Sequence, residues 1–116
     1  MTKERYLDGK IIWISKAAYH SSYSKKEYIY TAPINKAVLS GNYLNFSCSD
    51  TACKYELKLI KIKDTNYQGK ILCHSQGEIY EFPIHLQVFE NRLGIMLEGE
   101  WNTDEDYYLF AELHYV

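Results

Sequence analysis

The sequence predicts an all-β fold, an antiparallel meander of about eight to nine strands that forms a closed or nearly closed small barrel. Three observations predict it. Apolar and polar residues alternate with a period of two, turn-forming segments separate the alternating runs, and no segment has sustained helical periodicity. Antiparallel sheets commonly hide their edges by closing. The 116 residues form one domain, 1–116, large enough for a core without metal or disulfide support.

The first half of the chain contains five predicted strands. KIIWIS is the first, and the following residues 16–27 are a loop that could hold one helical turn. The strand at 53–63 places apolar side chains on odd positions up to Leu59 and then on even positions from Ile60, and such a phase slip is typical of a β-bulge. The five strands are residues 10–15, 27–32, 34–41, 42–48 and 53–63.

Four further strands follow in the second half. The first of them ends before the turn SQGE, whose glycine can adopt positive φ. Pro83 interrupts the longest alternation and marks an edge, a bulge or a bend, because proline cannot donate to a strand ladder. Both faces of the last strand are apolar near Phe110, which predicts cover on both sides there. The four strands are residues 67–74, 78–90, 93–101 and 106–116.

The order of several segments resembles that of the small calycin-type barrels, the broad group of lipocalins, fatty-acid-binding proteins and avidin-like proteins. The segments are LSGNYLNF, a strand containing GKI, LEGEW and YYLFAEL, together covering residues 38–116. The resemblance concerns strand order and hydrophobic pattern. It implies an up-and-down barrel, and it implies that a small hydrophobic ligand could bind inside.

The net charge of −2 is unevenly distributed along the chain. Residues 1–63 hold eleven Lys/Arg and five Asp/Glu, whereas residues 64–116 hold two Lys/Arg and ten Asp/Glu. The asymmetry favours a dipolar surface and a charged partner. Alternatively, strands from the two halves could interleave around the sheet, so that their fields partly cancel.

Three cysteines, Cys48, Cys53 and Cys73, are an odd number, which favours free thiols in a reducing compartment. Cys48 and Cys53 flank a short turn, so a disulfide across a hairpin is the alternative. A zinc site is not predicted, because Cys73 and His74 are neighbours that point to opposite faces of a strand. We therefore expect no metal and no cofactor.

The chain carries no pattern that is specific for catalysis. Nucleotide-binding glycine loops and the Gly-x-Ser-x-Gly motif are absent from the sequence, and the histidines are scattered. We therefore predict that the protein is not an enzyme. Nucleic-acid binding has one argument, a row of lysines near two tyrosines, but the pI of 6.1 opposes it. That row comprises Lys54, Lys58, Lys61 and Lys63, beside Tyr55 and Tyr67.

The strongest functional feature is an acidic and aromatic cluster in the last predicted hairpin. Carboxylates there could bind Lys and Arg side chains of a basic protein, while Trp and Tyr rings supply apolar contacts. We predict a cytoplasmic, non-catalytic protein-binding module without a membrane segment, of the kind represented by bacterial immunity proteins that inhibit a toxic nuclease. The alternative is a calycin-like carrier of a small hydrophobic ligand. The predicted partner-binding residues are Glu98, Glu100, Trp101, Asp104, Glu105, Asp106, Tyr107 and Tyr108.

Overall fold

The computed structural model describes residues 3–16, 29–50, 53–102 and 106–116. Nearly all of the predicted loop at 16–27 therefore lies outside the described residues. Within them, no helix has the length and apolar character needed to cross a bilayer. The eight strands are β1 (Glu4–Ser15), β2 (Ile29–Ser40), β3 (Tyr43–Ser49), β4 (Lys54–Lys63), β5 (Asn66–Ser75), β6 (Glu78–Glu90), β7 (Gly94–Asn102) and β8 (Asp106–Tyr115).

The strands form a closed antiparallel barrel in which the order around the ring equals the order along the chain. β1 pairs with β8 and closes the ring. The predicted all-β meander and its closure are confirmed. Because β1–β4 and β5–β8 each occupy one side of the ring, the two halves of the chain do not interleave. The basic half and the acidic half of the sequence therefore lie on different sides of the barrel.

The interior is filled by one face of every strand. Leu7, Leu44, Leu86 and Leu97 are completely buried, and Tyr67 is 1% exposed. A void of about 10 Å³ lies among the inward-facing side chains near one end of the barrel. That is about the smallest space that can hold one water molecule.

Two local features explain how the strands turn and coil so tightly. Gln76 and Gly77 both have positive φ, 50° and 81°, which is the type I′ geometry of a two-residue hairpin. At Gly69, an added Cβ would lie 1.9 Å from the backbone oxygen of Lys58 on the neighbouring strand. Only glycine fits this close approach of β4 and β5.

At one end the barrel is split on two sides, and we call this end the split end. It is the end that contains Ser15, Ser49 and the turn between β5 and β6. There, β2 and β3 are joined by only three residue pairs, from Val38 to Ser40, so residues 29–37 of β2 have no partner on β3. On the other side β6 pairs with β7 only from His85 onward, which leaves residues 78–84 paired with β5 alone.

The two prolines of the chain lie on the two strand segments that lack a partner on one side. Pro33 lies in the segment of β2, and Pro83 lies in the segment of β6. Since proline cannot donate to a ladder, it fits best where a strand has no neighbour. Sequence analysis left an edge, a bulge or a bend open at Pro83, and the structure shows an edge.

Aromatic side chains hold the two walls together at the split end. One wall consists of β3–β6 and the other of β7, β8, β1 and β2. Tyr55 from the first wall packs edge-on against Trp13 and Trp101 from the second, with ring centroids 5.7 and 5.4 Å apart. Phe82 also contacts Trp101, at 6.5 Å. Ring packing thus replaces the missing strand hydrogen bonds.

Three details of the sequence prediction are wrong. The two strands predicted at 27–32 and 34–41 form one strand in the described part, β2, which passes through Pro33 and shifts its register against β1. No bulge lies between Leu59 and Ile60, because the register with β5 is continuous there and Ile60 is simply an exposed apolar residue. The irregularity lies later, between Lys61 and Lys63. The outer face at Phe110 is not covered, since this ring is 38% exposed.

Candidate interaction surface

The predicted acidic residues lie along the β7–β8 hairpin on its outer face. Leu97 and Trp101 point inward, so Glu98 and Glu100 between them point outward, as the alternation of the strand requires. Asp106 is exposed at the start of β8. Asp104 and Glu105 lie outside the described residues. The outer wall therefore presents at least three of the five predicted carboxylates on one hairpin.

Trp101 is buried inside the barrel, with 6% of its surface exposed. Its ring contacts Trp13 at 6.2 Å and Tyr107 at 5.5 Å, in addition to the rings of the opposite wall. Its Nε1 has no hydrogen-bond partner among the described residues. A ring in this position stabilises the hairpin from within and is not accessible to a partner on the outer face. Leu97 and Trp101 are four residues apart, so the alternation of the strand places them on the same face. This spacing was the sequence signal for the burial of Trp101.

The two tyrosines of the cluster face in different directions. Tyr107 is partly buried and packs on the core beside Trp101. Tyr108 is half-buried on the outer face, where it lies opposite Glu100 in the strand register. Of the three aromatic residues predicted to contact a partner, Tyr108 is the one beside the outward carboxylates.

Glu100 and Tyr108 already bind a cation of the same chain. The ammonium Nζ of Lys16 lies 2.7 Å from Glu100 Oε1 and 5.1 Å from the centre of the Tyr108 ring. The hydrogen bond to Glu100 raises the pKa of Lys16, so this group stays protonated. This contact joins β7, β8 and the end of β1, and it shows that the site accommodates an ammonium group.

These residues border a groove of about 700 Å³ in the outer surface of β5–β8, which we call the acidic groove. Its carboxylates are Glu98 and Glu100, and the rings at its side are the half-buried Tyr108 and the exposed Phe110. The volume lies within the range of ligand-binding clefts. The sequence did not single out the β5 and β6 residues of the groove, because the pairing register of β5, β6 and β7 decides which outward side chains lie beside Glu98 and Glu100. These residues are Asn66, Gln68, Pro83, Ile84, His85 and Gln87.

The two tyrosines of the lysine-rich row point into the barrel. Tyr67 is buried in the core, and Tyr55 turns inward to Trp101, so neither ring can stack on a base. Lys61 is paired with Glu90 at 2.5 Å. Lys54 lies 3.8 Å from a carboxylate on its own strand.

The three cysteines are free thiols in the structure, and the alternative disulfide between Cys48 and Cys53 is not formed. Burial raises the pKa of Cys48 to about 12 and that of Cys73 to about 11. Both therefore stay protonated at neutral pH, which makes them poor nucleophiles. Among the described residues, no three His, Cys, Asp or Glu side chains are arranged to hold a metal ion.

The fold and surface define a small closed antiparallel β-barrel with an acidic groove on its outer wall. Comparison with protein families, with curated proteins and with solved structures finds no match for this chain.

Proposed function

We propose that the protein is a non-catalytic protein-binding module whose acidic groove binds a basic protein. The observation that carries the proposal is the ammonium group of Lys16 on Glu100 and Tyr108. It occupies one position of a larger groove, where Glu98 supplies a second carboxylate. Lys or Arg side chains of a partner are the groups that complement this surface.

The arrangement of charge over the whole barrel supports a basic partner. Because the strand order is sequential, the acidic second half of the chain forms one side of the molecule. A predominantly negative face attracts a positively charged partner over a distance of about 8–10 Å at physiological salt, and thereby raises the association rate. Tyr108 and Phe110 supply the apolar contacts that long-range attraction lacks.

The specific proposal is a bacterial, cytoplasmic immunity protein that inhibits a toxic nuclease. Nuclease active sites are basic because they bind phosphates, and carboxylates on a rigid wall compete for the same side chains. A relationship to calycin barrels is part of this proposal, and it is supported by the eight-stranded up-and-down meander. Fold alone does not decide between binding a protein and binding a ligand.

The carrier hypothesis has less support from the geometry. A hydrophobic ligand inside the barrel needs a cavity of several hundred Å³. The void among Trp13, Tyr55 and Trp101 measures about 10 Å³. The interior side chains that could have lined a cavity fill the core instead.

The test uses the double variant Glu98→Lys, Glu100→Lys as bait beside the unaltered protein. Partners are captured from the source organism and, separately, the product of the neighbouring gene is co-expressed and purified. The affinity of each identified partner is then measured by calorimetry at two salt concentrations. We expect binding to weaken roughly 10- to 100-fold in the variant, because two attractive contacts become repulsive. We also expect the affinity of the unaltered protein to fall with added salt.

The matched control is Glu4→Lys, Asp8→Lys, which makes the same change in net charge at two exposed positions of β1 that do not line the groove. Circular dichroism checks that all variants are folded. Equal losses of partner affinity in the two double variants would show that only net charge matters, and would refute the groove as the binding site. A partner without nuclease activity would refute the immunity proposal and leave the binding module.

A further inference from the structure

The segment of β6 at residues 78–84 has a strand partner on one side only among the described residues, and it leads out of the acidic groove. On one side it pairs with β5 from Ser75 to Gly69, and on the other side no described strand is present. Pro83 and Ile84, at the end of this segment, line the groove together with Asn102 of β7. The edge and the groove are therefore continuous.

The direction of the backbone groups on this edge follows from the β5–β6 turn. A two-residue turn at Gln76 and Gly77 is closed by a hydrogen bond between the residues on either side of it, so the Glu78 N–H faces β5. Backbone groups of successive residues point to opposite sides of a strand. The N–H groups of Ile79 and Glu81 therefore point away from β5.

The carbonyl groups of the same two residues and of Pro83 also point away from β5. Two observations agree with this register. Pro83, which has no N–H, falls on the side where none is needed for pairing with β5. The carbonyl of His85, two residues further on, faces β7, since an added Cβ at Gly99 would lie 2.5 Å from its oxygen.

We propose that the binding partner adds an extended strand to this edge, with basic side chains on its outer face and apolar side chains on its inner face. The proposal rests on the proposed function and specifies how the partner is recognised. Strand addition matches main-chain donors and acceptors, while alternate side chains supply specificity. An added strand would lie in line with β7, beyond Asn102.

The side chains along the edge determine the chemistry of the added strand. On the outer face stand Ile79, which is 62% exposed, and Glu81, whose carboxylate is paired with Lys70 of β5 at 2.7 Å. Beyond them the same face continues into the acidic groove, where Glu98 and Glu100 lie. Basic side chains would therefore lie on that face. On the inner face, Tyr80 is 49% exposed and Phe82 borders the aromatic cluster of the split end. Aliphatic side chains fit there.

The charges also decide against a second copy of this chain. Full overlap of residues 78–84 in two antiparallel copies would place Glu81 of one directly opposite Glu81 of the other. Like charges at cross-strand positions are destabilising, and natural edges use such charges to prevent self-pairing. A basic strand is attracted by the same carboxylates.

The test uses a blocked heptapeptide in which Lys and Arg alternate with Val and Thr. The full chain, labelled with nitrogen-15, is titrated with this peptide while the NMR chemical shifts of the protein's backbone amides are recorded. The hydrogen exchange of the same amides is measured with and without peptide. We expect shifts at residues 78–84 and in the groove, and slower amide exchange at Ile79 and Glu81. The variant Ile79→Pro removes an edge donor that β5 does not use, so peptide binding should weaken roughly fivefold, as for the loss of one hydrogen bond. Ile79→Val, which keeps the N–H, should bind within about twofold of the unaltered protein.

Each other outcome overturns the inference in a recognisable way. Shifts confined to the groove, with equal affinities of Ile79→Pro and Ile79→Val, would mean that side chains alone bind the peptide. The proposed function would survive that result, because it depends on the response to charge reversal at Glu98 and Glu100. A dimer of the free protein with protected Ile79 and Glu81 amides would identify a second copy as the occupant. Absence of any shift at millimolar peptide would also refute strand addition.

Discussion

Trp101 offers a test of how the split end is stabilised. The ring is 6% exposed, lies between both walls and has a nitrogen without a hydrogen-bond partner in the described part of the chain. Replacing it by alanine removes the ring contacts that join the walls, and should lower the free energy of unfolding by about 3–5 kcal/mol. Replacing it by phenylalanine should have a much smaller effect.

The phenylalanine substitution has two opposing effects. The second ring of the indole buries roughly 40 Å² more apolar surface, and its loss costs about 1 kcal/mol at about 25 cal/mol per Å². Removing a buried N–H that lacks a partner is favourable by about 1–3 kcal/mol. We therefore expect Trp101→Phe to destabilise the protein by less than about 1 kcal/mol.

The assay is urea denaturation followed by circular dichroism, with the m-value as a check for two-state unfolding. Trp13→Phe is the matched control, since Trp13 is 4% exposed and its nitrogen is not among the unpaired buried atoms. This control should cost about 1–2 kcal/mol more than Trp101→Phe. A loss of about 2 kcal/mol or more in Trp101→Phe would show that the nitrogen has a partner, and would refute the reasoning.

Two further predictions concern the core. Gly69→Ala should destabilise the barrel by about 3 kcal/mol or more in urea denaturation, because the new Cβ would lie 1.9 Å from the Lys58 oxygen. Gly77→Asn in the open turn should cost less than about 1 kcal/mol, and similar losses at both positions would contradict the close approach. Burial raises the pKa of Cys48 to about 12 and of Cys73 to about 11, from 9.0. As the pH rises, these thiols therefore ionise in the unfolded chain before they ionise in the folded one. The free energy of unfolding should decline above about pH 9, by up to about 1.4 kcal/mol per pH unit for each thiol. The double variant Cys48→Ala, Cys73→Ala should show a flatter decline when urea denaturation is repeated from pH 7 to 11.

The inward and outward side chains of β7 could be predicted because the alternation along a strand is a local pattern. The period of two along β7 places Leu97 and Trp101 inside and Glu98 and Glu100 outside, whatever the neighbouring strands are. The same pattern misled where apolar residues face solvent. Ile60 is exposed on the outer face, so the apolar side chain did not mark a change of face.

The parts that could not be predicted depend on contacts distant in sequence. Lys16 meets Glu100 only because β1 closes on β8. The β6 side of the acidic groove depends on the register of the β6–β7 hairpin, which sets His85 opposite Glu100 and Gln87 opposite Glu98. Pro83 carried a local signal of the free edge, but the choice between edge, bulge and bend required the length of β7.

The sequential strand order also shapes the folding route. Seven of the eight pairings join neighbours along the chain, whereas β1 and β8 bring together residues as distant as Leu7 and Tyr115. Closing so long a loop costs about 3 kcal/mol more in chain entropy than closing a hairpin. We therefore expect the ring to close after its hairpins have formed. At this last seam Lys16 of the basic half meets Glu100 of the acidic half. We expect the uneven charge of the two halves to draw the two ends of the sheet together before they pair.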